Sequence, residues 1–561
     1  MSVDRLSFDT HHSLLIILYS PILSTSASLE MGDTTPKRDR GLPQEQSQPF
    51  HILASVVATP RKSKTSSQSV SVFMASEAPG NPMNAHVLRQ HEHMDKVIAK
   101  ELDEVTFTDV DGLAELLFPD YAFLVKLPEL FASMTTGDSP LYDEKTKEWR
   151  TCPTLTQSDL EHPVCNFLEE LSTHARSIWD ARLPKDDPKP EVRKWSADFC
   201  TVTFPEGYLA RKPDVLGLVL SLQISWKHAR YDVQHKASAK VEKDVATQLH
   251  DGALNSLSAQ DDRVFHVGLG FAGTKFFLNY YDRSGCLRSP LADVHKDPML
   301  FLRVLLGLVL LDKAHLGYDP TIVQCADGTR EVPVAGEDYK ILQVINRDPG
   351  IRGLGAVCWS CERRSDNMRV VIKNVWVDRS RAVTEEEFLR RAAECGVKGV
   401  PTVIAYEVVD SVHAGDQFST GRIREFLLSD SDRGSIEVRD LVRLVMPEFG
   451  VGLENFSSRT ELITALVDCI RIHEKLHDDA GILHSDIHDG NILLRTDPSR
   501  PGMRRGFLID FNYALYVGTD RSKSAVGWKT CRTPFVAWEL LVAGTSSLPR
   551  LTTTCNRSSI S

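Results

Sequence analysis

Two polar residues that could carry out phosphoryl transfer, Asp486 and Asn491, lie five positions apart in the segment GILHSDIHDGNILL, residues 481–494. Phosphoryl transfer needs a carboxylate that accepts the proton of the acceptor hydroxyl and an amide oxygen that holds a magnesium ion. A second carboxylate, Asp510, follows in the β-prone sequence FLIDFN. Asp486 and Asn491 could merely cap a loop. The pattern H-x-D-x-x-x-x-N, which begins at His484 and is followed by D-F, instead predicts a kinase-type catalytic loop.

The motif predicts a role for each of its polar residues. Asp486 is expected to be the general base, and His484 is counted with it among the catalytic residues. Asn491 and Asp510 are expected to be the magnesium ligands.

A glycine-bearing turn upstream could contact a nucleotide. Gly353, Gly355 and Val357 lie in the turn GLGAV, where glycines allow backbone N–H groups to approach the phosphates of ATP. The strand VVIK follows and ends at Lys373, where a kinase places a lysine for the α- and β-phosphates. Most lysines at strand ends are simply solvated, so this assignment depends on the neighbouring turn.

A helix after this strand is expected to provide the partner of Lys373. Thr384 can cap a helix over residues 385–395, and Glu385 is the expected ion-pair partner, with Glu386 as the alternative. Later in the chain, residues 445–450 are expected to form the hinge that contacts adenine. Met446 is the predicted cofactor-binding residue of that hinge.

Length, charge and cysteine content bound the class of protein. A chain of 561 residues is expected to hold two to four domains. Its formal charge of −11 argues against general binding to nucleic acid or acidic membranes. The one C-x-x-C pair among eleven cysteines, Cys358 and Cys361, has no second pair to complete a zinc site. We therefore expect a structural role for this pair and a reducing compartment.

The apolar runs of the sequence are too short to cross a membrane. Residues 13–23 are interrupted by Pro21 and residues 301–311 carry Arg303, whereas a span needs roughly 20 apolar residues. A secretory signal is disfavoured because the first run has no basic lead. We expect no membrane partner and a cytoplasmic or nuclear location.

Composition and hydrophobic pattern divide the chain into five regions. Residues 1–85 are rich in Ser, Thr and Pro and are expected to be disordered. Helical periodicity predicts a helix-rich region over 86–190, and short strands, the first over 198–204, predict a mixed α/β region over 191–338. The kinase-like pattern occupies 339–545, and 546–561 is expected to be a second disordered tail.

The α/β region contains a second motif that could do chemistry. Asp214 follows a proline, and Gln234-x-Lys236 ends a later strand. In the PD…(D/E)xK nuclease core, two carboxylates hold a divalent metal and the lysine stabilises developing charge. Gln234 would be a neutral and weaker ligand for a hard cation. A nuclease is therefore disfavoured, and a metal-free relic of that fold stays open.

With these residues in hand, the chain resembles the fungal-type protein kinase family from about residue 196 to 541. Similar segments outside the catalytic motifs are RKPDV at Arg211, YDRSG at Tyr281 and LGYDP at Leu316. The resemblance implies a transferase that uses ATP and Mg²⁺ and acts on serine or threonine of an unknown protein substrate. The expected fold class is α+β: a bilobal protein-kinase-like domain, its C-lobe truncated, preceded by an α/β region and a disordered tail.

Several positions depart from the pattern of that family. Ser485 replaces the arginine of H-R-D, His488 stands where protein-serine kinases place a lysine, and Asn512 replaces the glycine of D-F-G. Ser485 and His488 favour a small-molecule kinase of the aminoglycoside or choline type as the alternative. Few residues follow Glu539, in the place of the A-P-E element, so we expect an incomplete C-lobe. A pseudokinase that acts as a binding module, with a partner protein covering this lobe, is the third alternative.

Overall fold

The structure is a computed structural model. It describes residues 54–56, 72–74, 85–153, 160–185, 191–219, 222–238, 242–409, 418–433, 436–447, 450–496 and 503–518. Inside the tail predicted to be disordered, strand β1 (Ala54–Val56) pairs antiparallel with β2 (Val72–Met74). The rest of residues 1–84, the whole of 546–561 and the predicted A-P-E element at 533–539 lie outside the described residues.

The described part of the chain contains helices over the predicted helix-rich region and over later segments. The α-helices are α1 (Ala85–Leu102), α2 (Leu113–Leu117), α3 (Leu127–Thr135), α4 (Glu161–Arg182), α5 (Glu242–Ala259), α6 (Pro298–Leu310), α7 (Glu385–Glu394), α8 (Gly421–Leu427), α9 (Asp430–Arg433) and α10 (Arg459–Asp478). Short 3-10 turns occur at Asp103–Val105, Asp120–Ala122, Ala314–Leu316, Leu453–Asn455 and Asp489–Asn491. Within the described ranges, no helix has the length and apolar character that a membrane span requires.

An eight-stranded sheet organises the amino-terminal half. Its strands are β3 (Thr106–Phe107), β6 (Arg193–Ser196), β7 (Val215–Val219), β8 (Tyr231–Lys236), β9 (His266–Ala272), β10 (Lys275–Asp282), β11 (Gly285–Arg288) and β12 (Ala292–Asp293). The order is β3-β11-β10-β9-β8-β7-β6, and β12 pairs with β10. Strands β8 and β9 are parallel because helix α5 crosses between them, and β3 is parallel to β11. A separate hairpin joins β4 (Tyr142–Asp143) to β5 (Glu148–Trp149).

One hydrophobic core serves both regions that the sequence predicted on either side of residue 190. Phe167 of α4 stacks on Phe301 of α6 with ring centroids 5.8 Å apart. The indole N–H of Trp195, on β6, donates to Ser172 of α4 at 2.9 Å. The core includes residues from Val110 to Tyr318 and Leu428 from later in the chain. The predicted boundary at 190 therefore does not separate two cores, because α2, α3 and α4 pack in this core against the sheet, while α1 packs with α5 in a second cluster.

The strand predicted over 198–204 is wrong. The strand that pairs with β7 is β6, which ends at Ser196. Beyond it the chain turns, with Cys200 N–H donating to Ala197 at 3.1 Å and Val202 N–H donating to Phe199 at 3.3 Å. Phe204 is buried against Trp226 rather than in a ladder. Apolar residues alone did not distinguish a packed turn from a strand.

A seven-stranded antiparallel sheet organises the next part of the chain. Its strands are β13 (Val323–Gln324), β14 (Arg330–Val334), β15 (Glu337–Arg347), β16 (Val357–Arg363), β17 (Arg369–Asp378), β18 (Ala405–Val408) and β19 (Arg439–Met446). The order is β13-β14-β15-β16-β17-β19-β18, with α7 between β17 and β18 in the chain. The sheet thus begins before residue 339, the predicted start of the kinase-like region.

Smaller ladders follow helix α10. Strands β20 (Val451–Gly452), β22 (Ile492–Thr496) and β23 (Arg504–Leu508) form a three-stranded sheet, and β21 (Ile482–Leu483) pairs with β24 (Leu515–Tyr516). Ser458 caps α10 by accepting from Glu461 N–H at 3.1 Å. The sequence Ser458-x-x-Glu461 predicts a capping box, but only half of it forms, since the Glu461 carboxylate accepts from Ser457 N–H at 2.6 Å rather than from the cap residue.

Buried ion pairs join the two large sheets. Arg443 of β19 pairs with Asp319 at 2.6 Å, and Arg424 of α8 pairs with Asp282 at 2.5 Å. All four side chains are at most 2% exposed. Removing one member of such a pair leaves a buried charge without its partner and typically costs about 3–5 kcal/mol. The seven-stranded sheet is therefore packed firmly against the amino-terminal half.

Candidate functional site

Strand β17 and helix α7 bring together the predicted lysine and its acidic partner. Lys373 is buried in the middle of β17, between β16 and β19. Thr384 caps α7 by accepting from Glu387 N–H at 3.3 Å, so the helix begins at Glu385. The Lys373 ammonium donates to both carboxylate oxygens of Glu385, at 2.8 and 3.1 Å. Of the two glutamates that the sequence allowed, the structure pairs Lys373 with Glu385.

Asp510 completes a triad of charges around the same ammonium. Its carboxylate accepts from Lys373 at 2.8 Å, and the main-chain N–H of the next residue, Phe511, donates to Glu385 at 3.0 Å. Helix α7, strand β17 and the Asp510 segment are therefore linked through three short hydrogen-bonded contacts. About 29% of the Asp510 side chain is exposed, whereas Glu385 and Lys373 are each 7% exposed. Asp510 is thus the member of the triad whose side chain is most exposed to solvent.

Burial and mutual attraction set the protonation states of the triad. Burial alone would lower the pKa of Lys373, but Asp510 and Glu385 raise that pKa above its ordinary value. Burial would raise the pKa of Asp510, but the Lys373 charge holds it below its ordinary range. For Glu385 burial dominates, and its pKa is raised. Lys373 is therefore a firmly charged cation, and Asp510 a firmly charged anion, at neutral pH.

The catalytic-loop residues predicted from the sequence lie on one short segment after β21. Asn491 donates through its amide nitrogen to the Asp486 carbonyl at 2.9 Å and to the Asp486 carboxylate at 3.3 Å. The main-chain carbonyl of Asn491 accepts from Ile509 N–H at 3.0 Å, which connects the loop to the residue before Asp510. Because the amide nitrogen of Asn491 is used within the protein, its amide oxygen is the atom suited to a cation.

His484 connects the loop that carries Asp486 to the segment that carries Asp510. The imidazole is fully buried, and burial lowers its pKa to about 4. Its Nε2 lies 3.0 Å from the Ile509 carbonyl, and Asp486 N–H donates to Nδ1 at 3.4 Å, so the proton is on Nε2. The ring also packs edge-on to Phe511, with centroids 4.7 Å apart. These are the contacts of a neutral residue that positions the Asp486 and Asp510 segments.

Two residues of the site adopt a backbone conformation that side chains rarely take. Ser485 has φ 65° and Asp510 has φ 67°. Non-glycine residues in the left-handed region cost about 1–3 kcal/mol and cluster at functional sites. Here they stand immediately before Asp486 and at the carboxylate that contacts Lys373. The strain supports the view that these two positions are under functional constraint.

The glycine-bearing turn leads into β16, and the ladder shows which side chains after it share the Lys373 face. Residues 348–356 connect β15 to β16, and Gly353 and Gly355 have φ 113° and 47°. In the β16–β17 ladder, Cys358 is opposite Lys373 and Val357 is opposite Asn374. Side chains alternate along a strand, so Cys358 shares the Lys373 face and Val357 lies on the other. The Val357 side chain belongs to a core on the far side of the sheet, so the predicted contact of Val357 with a nucleotide would have to be made by its main chain.

The pairing of β17 with β16 and with β19 also shows on which face of the sheet other predicted residues lie. Cys358 and Cys361 are three residues apart on one strand and therefore point to opposite faces, so they cannot share a metal ion. Met446 is opposite Val371, two residues before Lys373, and so lies on the Lys373 face; its contact with a nucleotide stays a prediction. The pattern Gly353-x-Gly355-x-x-Cys358 matches the glycine-rich loop of kinases except that cysteine replaces the third glycine.

His488 lies beside the predicted base. Its Nδ1 accepts from Gly490 N–H at 3.0 Å, which leaves the proton on Nε2. That nitrogen is 3.8 Å from the Asp486 carboxylate, too far for a direct hydrogen bond. The lysine position of protein-serine kinases is thus occupied by a ring nitrogen close to Asp486.

The nuclease-like motif does not form a metal site. Gln234 and Lys236 share one face of β8, and Lys236 is 3.7 Å from the Asp214 carboxylate, which also accepts from His235 N–H at 2.9 Å. The lysine therefore lies where a cation would be needed. Over the described ranges, no three His, Cys, Asp or Glu side chains are grouped so that they could hold a metal ion.

Sequence reasoning missed two residues near the triad, Asp348 and Arg283. Burial, together with Asp510 and Glu101, raises the pKa of Asp348 to about 7, although Arg283 opposes that shift. Arg283 belongs to the YDRSG segment, which the sequence predicted as a hairpin turn closed by Gly285 and which resembles the family. No local pattern predicted that this segment, ninety residues before Lys373, would reach the turn between β15 and β16.

Comparisons with known proteins show one family match and several weak structural similarities. The family model described as fungal protein kinase matches residues 205–547, which is more than half of the chain. The solved structure of the BubR1 kinase domain is 15% identical, covers 33% of this chain and 50% of its own, and has a TM-score of 0.20. The kinase PK-1 of Cydia pomonella granulovirus is 15% identical, with coverage of 32% and 56% and a TM-score of 0.22.

The chain spans about half of the length of these solved structures. Likeness at this level is too low to support a conclusion about fold or function. No curated protein sequence matches the chain.

Proposed function

We propose that this chain, which belongs to the fungal protein kinase family, is an ATP-dependent phosphotransferase that acts on serine or threonine hydroxyls of a protein substrate. The observation that carries the proposal is the contact of Lys373 with both Glu385 and Asp510. This ion-pair arrangement, next to a loop with Asp486 and Asn491, is what phosphoryl transfer from a nucleotide requires.

The residues suit the groups that such a reaction needs. Mg²⁺ prefers oxygen ligands and is usually held by one or two carboxylates together with substrate phosphates. The partly exposed Asp510 carboxylate and the amide oxygen of Asn491 supply protein ligands of that kind. Bound magnesium would neutralise charge on the phosphates of ATP. The glycines of the turn and Met446 would contact the nucleotide, and Lys373 would hold its α- and β-phosphates.

Asp486 is the proposed general base. Its carboxylate accepts from the side-chain amide of Asn491 at 3.3 Å, and the same amide donates to the Asp486 main-chain carbonyl at 2.9 Å. An oriented carboxylate can accept the proton of an acceptor hydroxyl as the hydroxyl oxygen attacks phosphorus. His484, buried and neutral, would maintain the loop and the Asp510 segment in register.

The geometry around His488 favours a second acceptor class. An imidazole, in place of a lysine, lies 3.8 Å from the Asp486 carboxylate. A lysine at this position brings a permanent positive charge to the transferred phosphoryl group, and the His488 side chain replaces that ammonium. Small alcohols of the aminoglycoside or choline type bring their own positive charge. A small-molecule kinase is therefore the alternative proposal.

Transfer of labelled phosphate from ATP decides among these possibilities. The full chain would be incubated with magnesium-ATP and either serine- and threonine-containing peptides or a panel of aminoglycosides and choline. Label on peptide supports the first proposal, and label only on the small alcohols supports the second. Binding of magnesium-ATP without transfer to either class of acceptor would overturn both kinase proposals and identify a pseudokinase. Absence of magnesium-ATP binding would overturn every proposal in which the chain uses a nucleotide.

The remaining expectations are proposals of the same standing. A protein that carries the acceptor hydroxyl is the principal partner, and a further partner protein that covers the catalytic lobe is part of the proposal. Location in the cytoplasm or nucleus is proposed because the family resemblance concerns kinases and the apolar runs are short.

A further inference from the structure

The turn that would contact nucleotide phosphates is attached to the amino-terminal half. Residues 348–356 lie against the tight turn Asp282–Gly285, which joins β10 to β11. At the centre of this tight turn is Arg283, whose side chain is 2% exposed. The arginine points away from its own sheet and into the loop between β15 and β16.

Arg283 contacts the loop through its main chain and its side chain. The Arg283 carbonyl accepts from Gly353 N–H at 3.0 Å, and Nη1 donates to the Gly350 carbonyl at 2.5 Å. The guanidinium also packs against Gly355, where any Cβ would overlap it. These contacts involve both glycines that the sequence assigned to the phosphates. A single residue of one half thus touches the loop of the other half at three points.

Neighbouring contacts hold both sides of the loop. Arg352 N–H donates to the Glu101 carboxylate of α1 at 2.7 Å. Ile351 is fully buried in the core that α1 and α5 share. On the opposite side, the Leu354 carbonyl accepts from Trp376 N–H at 2.8 Å, and the Leu354 side chain packs with Tyr513. The loop is therefore fixed between the amino-terminal half and the strand that carries Lys373.

The charge of Arg283 is unusual for a residue with a purely structural role. Burial lowers its pKa to about 10, although Asp348, Glu101 and Asp282 oppose that shift. Nε has no hydrogen-bond acceptor among the described residues. A buried guanidinium that lacks part of its hydrogen bonding is costly. An anion bound on the other side of a glycine loop would reduce that cost.

We propose that Arg283 is a positioning residue for the nucleotide phosphates: it holds the 348–356 loop over the site and places a buried positive charge behind it. The inference rests on the proposed function, since it takes the bound phosphates to be those of a nucleotide. It also assigns the amino-terminal half a part in nucleotide binding. The kinase-like sheet alone, without the tight turn 282–285, would have a loose phosphate-binding loop.

The test uses the full chain with Arg283→Ala and Arg283→Lys, and Arg330→Ala as a matched control. Arg330 is a second arginine at the junction of the two halves, pairing with Asp261 at 2.7 Å, and it does not touch the loop. Hydrogen exchange of the amides of residues 350–356 reports the loop without any nucleotide. Titration with magnesium-ADP reports phosphate binding.

Arg283→Ala is expected to speed exchange of the loop amides and to weaken magnesium-ADP binding by about tenfold or more, the scale of one lost charged hydrogen bond. Arg283→Lys keeps the charge but not the planar fork, so it should restore part of the affinity. Arg330→Ala should leave both loop exchange and nucleotide affinity at the wild-type level. Equal exchange and equal affinity in Arg283→Ala and wild type would overturn the proposal.

A second variant, Gly355→Ala in the loop, tests the same contact from the other side and keeps the proposal testable if Arg283→Ala does not fold. Gly355→Ala brings a methyl group against the guanidinium, so it should weaken ADP binding in the presence of Arg283. It should weaken binding by a smaller factor in the Arg283→Ala background, where the clash is relieved. Equal factors in the two backgrounds would overturn the contact. If wild type binds no nucleotide, the proposed function fails, and faster loop exchange in Arg283→Ala still supports the positioning contact.

Discussion

Replacement of Lys373 by methionine removes one cation from between two carboxylates. In the wild type the ammonium is 2.8 Å from Glu385 and 2.8 Å from Asp510. Methionine fills similar space but leaves the two carboxylates facing each other. Breaking a buried ion pair from one side typically costs about 3–5 kcal/mol. Because 29% of the Asp510 side chain is exposed to solvent, we expect the lower end, about 3 kcal/mol.

The size of the effect should depend on pH. In the variant, burial and repulsion raise the carboxyl pKa values above their unfolded values, so stability is retained at low pH and lost as the pH rises. In the wild type the pKa of Asp510 is held low, and its contribution is lost only at much more acidic pH. The difference between the two proteins should therefore be smaller at pH 5 than at pH 8.

Thermal unfolding of the full chain measures this difference. For a domain of about 150–250 residues, 1 kcal/mol corresponds to roughly 2–4 °C, so Lys373→Met should lower the melting temperature at pH 8 by about 6–12 °C. Lys398→Met, the same substitution at an exposed position, is the matched control and should have little effect. The double variant Lys373→Met, Glu385→Gln should recover much of the loss. A Lys373→Met protein that melts with the control at both pH values would refute the reasoning.

Three further predictions follow from the same site. Asp486→Asn should reduce phosphate transfer about a hundredfold or more and leave ATP binding nearly unchanged, with Asp489→Asn in the same loop as the control; wild-type turnover would remove Asp486 from the mechanism. Asp510→Ala should abolish the strengthening of nucleotide binding by magnesium, and titrations in which the metal helps both proteins equally would contradict this. Asp348→Asn should raise stability at pH 8 but not at pH 4, because a carboxyl with a raised pKa destabilises the fold once it ionises. The pKa shift of Asp348 from 3.8 to about 7 corresponds to a loss of about 4 kcal/mol in the free energy of unfolding at pH 8, and partial exposure of Asp348 reduces this loss to about 2 kcal/mol. An Asp348→Asn variant whose unfolding curve at pH 8 is identical to that of the wild type would exclude this destabilisation.

The elements with strong local patterns could be predicted from the sequence. Thr384 predicted the start of α7 because a threonine side chain can accept from the first free main-chain N–H groups. Gly285, with φ 136°, closes the hairpin where the sequence placed a turn. The spacing from Asp486 to Asn491 likewise predicted a loop in which the two side chains meet. Each of these depends on residues a few positions apart.

The face of the sheet on which a residue lies, and the register between paired strands, could not be predicted in the same way. Val357 and Cys358 are adjacent, and only the pairing of β16 with β17 decides which of them lies with Lys373. A shift of one residue exchanges the two faces of a strand, so an error of one position reverses the assignment. The strand predicted over 198–204 failed for a related reason, since Phe204 is buried by packing and not by a ladder.

The sequence by itself predicted the chemistry that the chain could attempt: a base at Asp486, metal ligands at Asn491 and Asp510, and a lysine with an acidic partner. Only the tertiary structure decided that the Lys373 ammonium joins Glu385 to Asp510, and that Arg283 reaches the 348–356 loop. The physical reason is that local spacing specifies turns, caps and alternation within one element. Contacts between residues 67 or 137 positions apart, such as Arg283 with Gly350 and Lys373 with Asp510, depend instead on tertiary packing, which follows from the whole set of buried side chains.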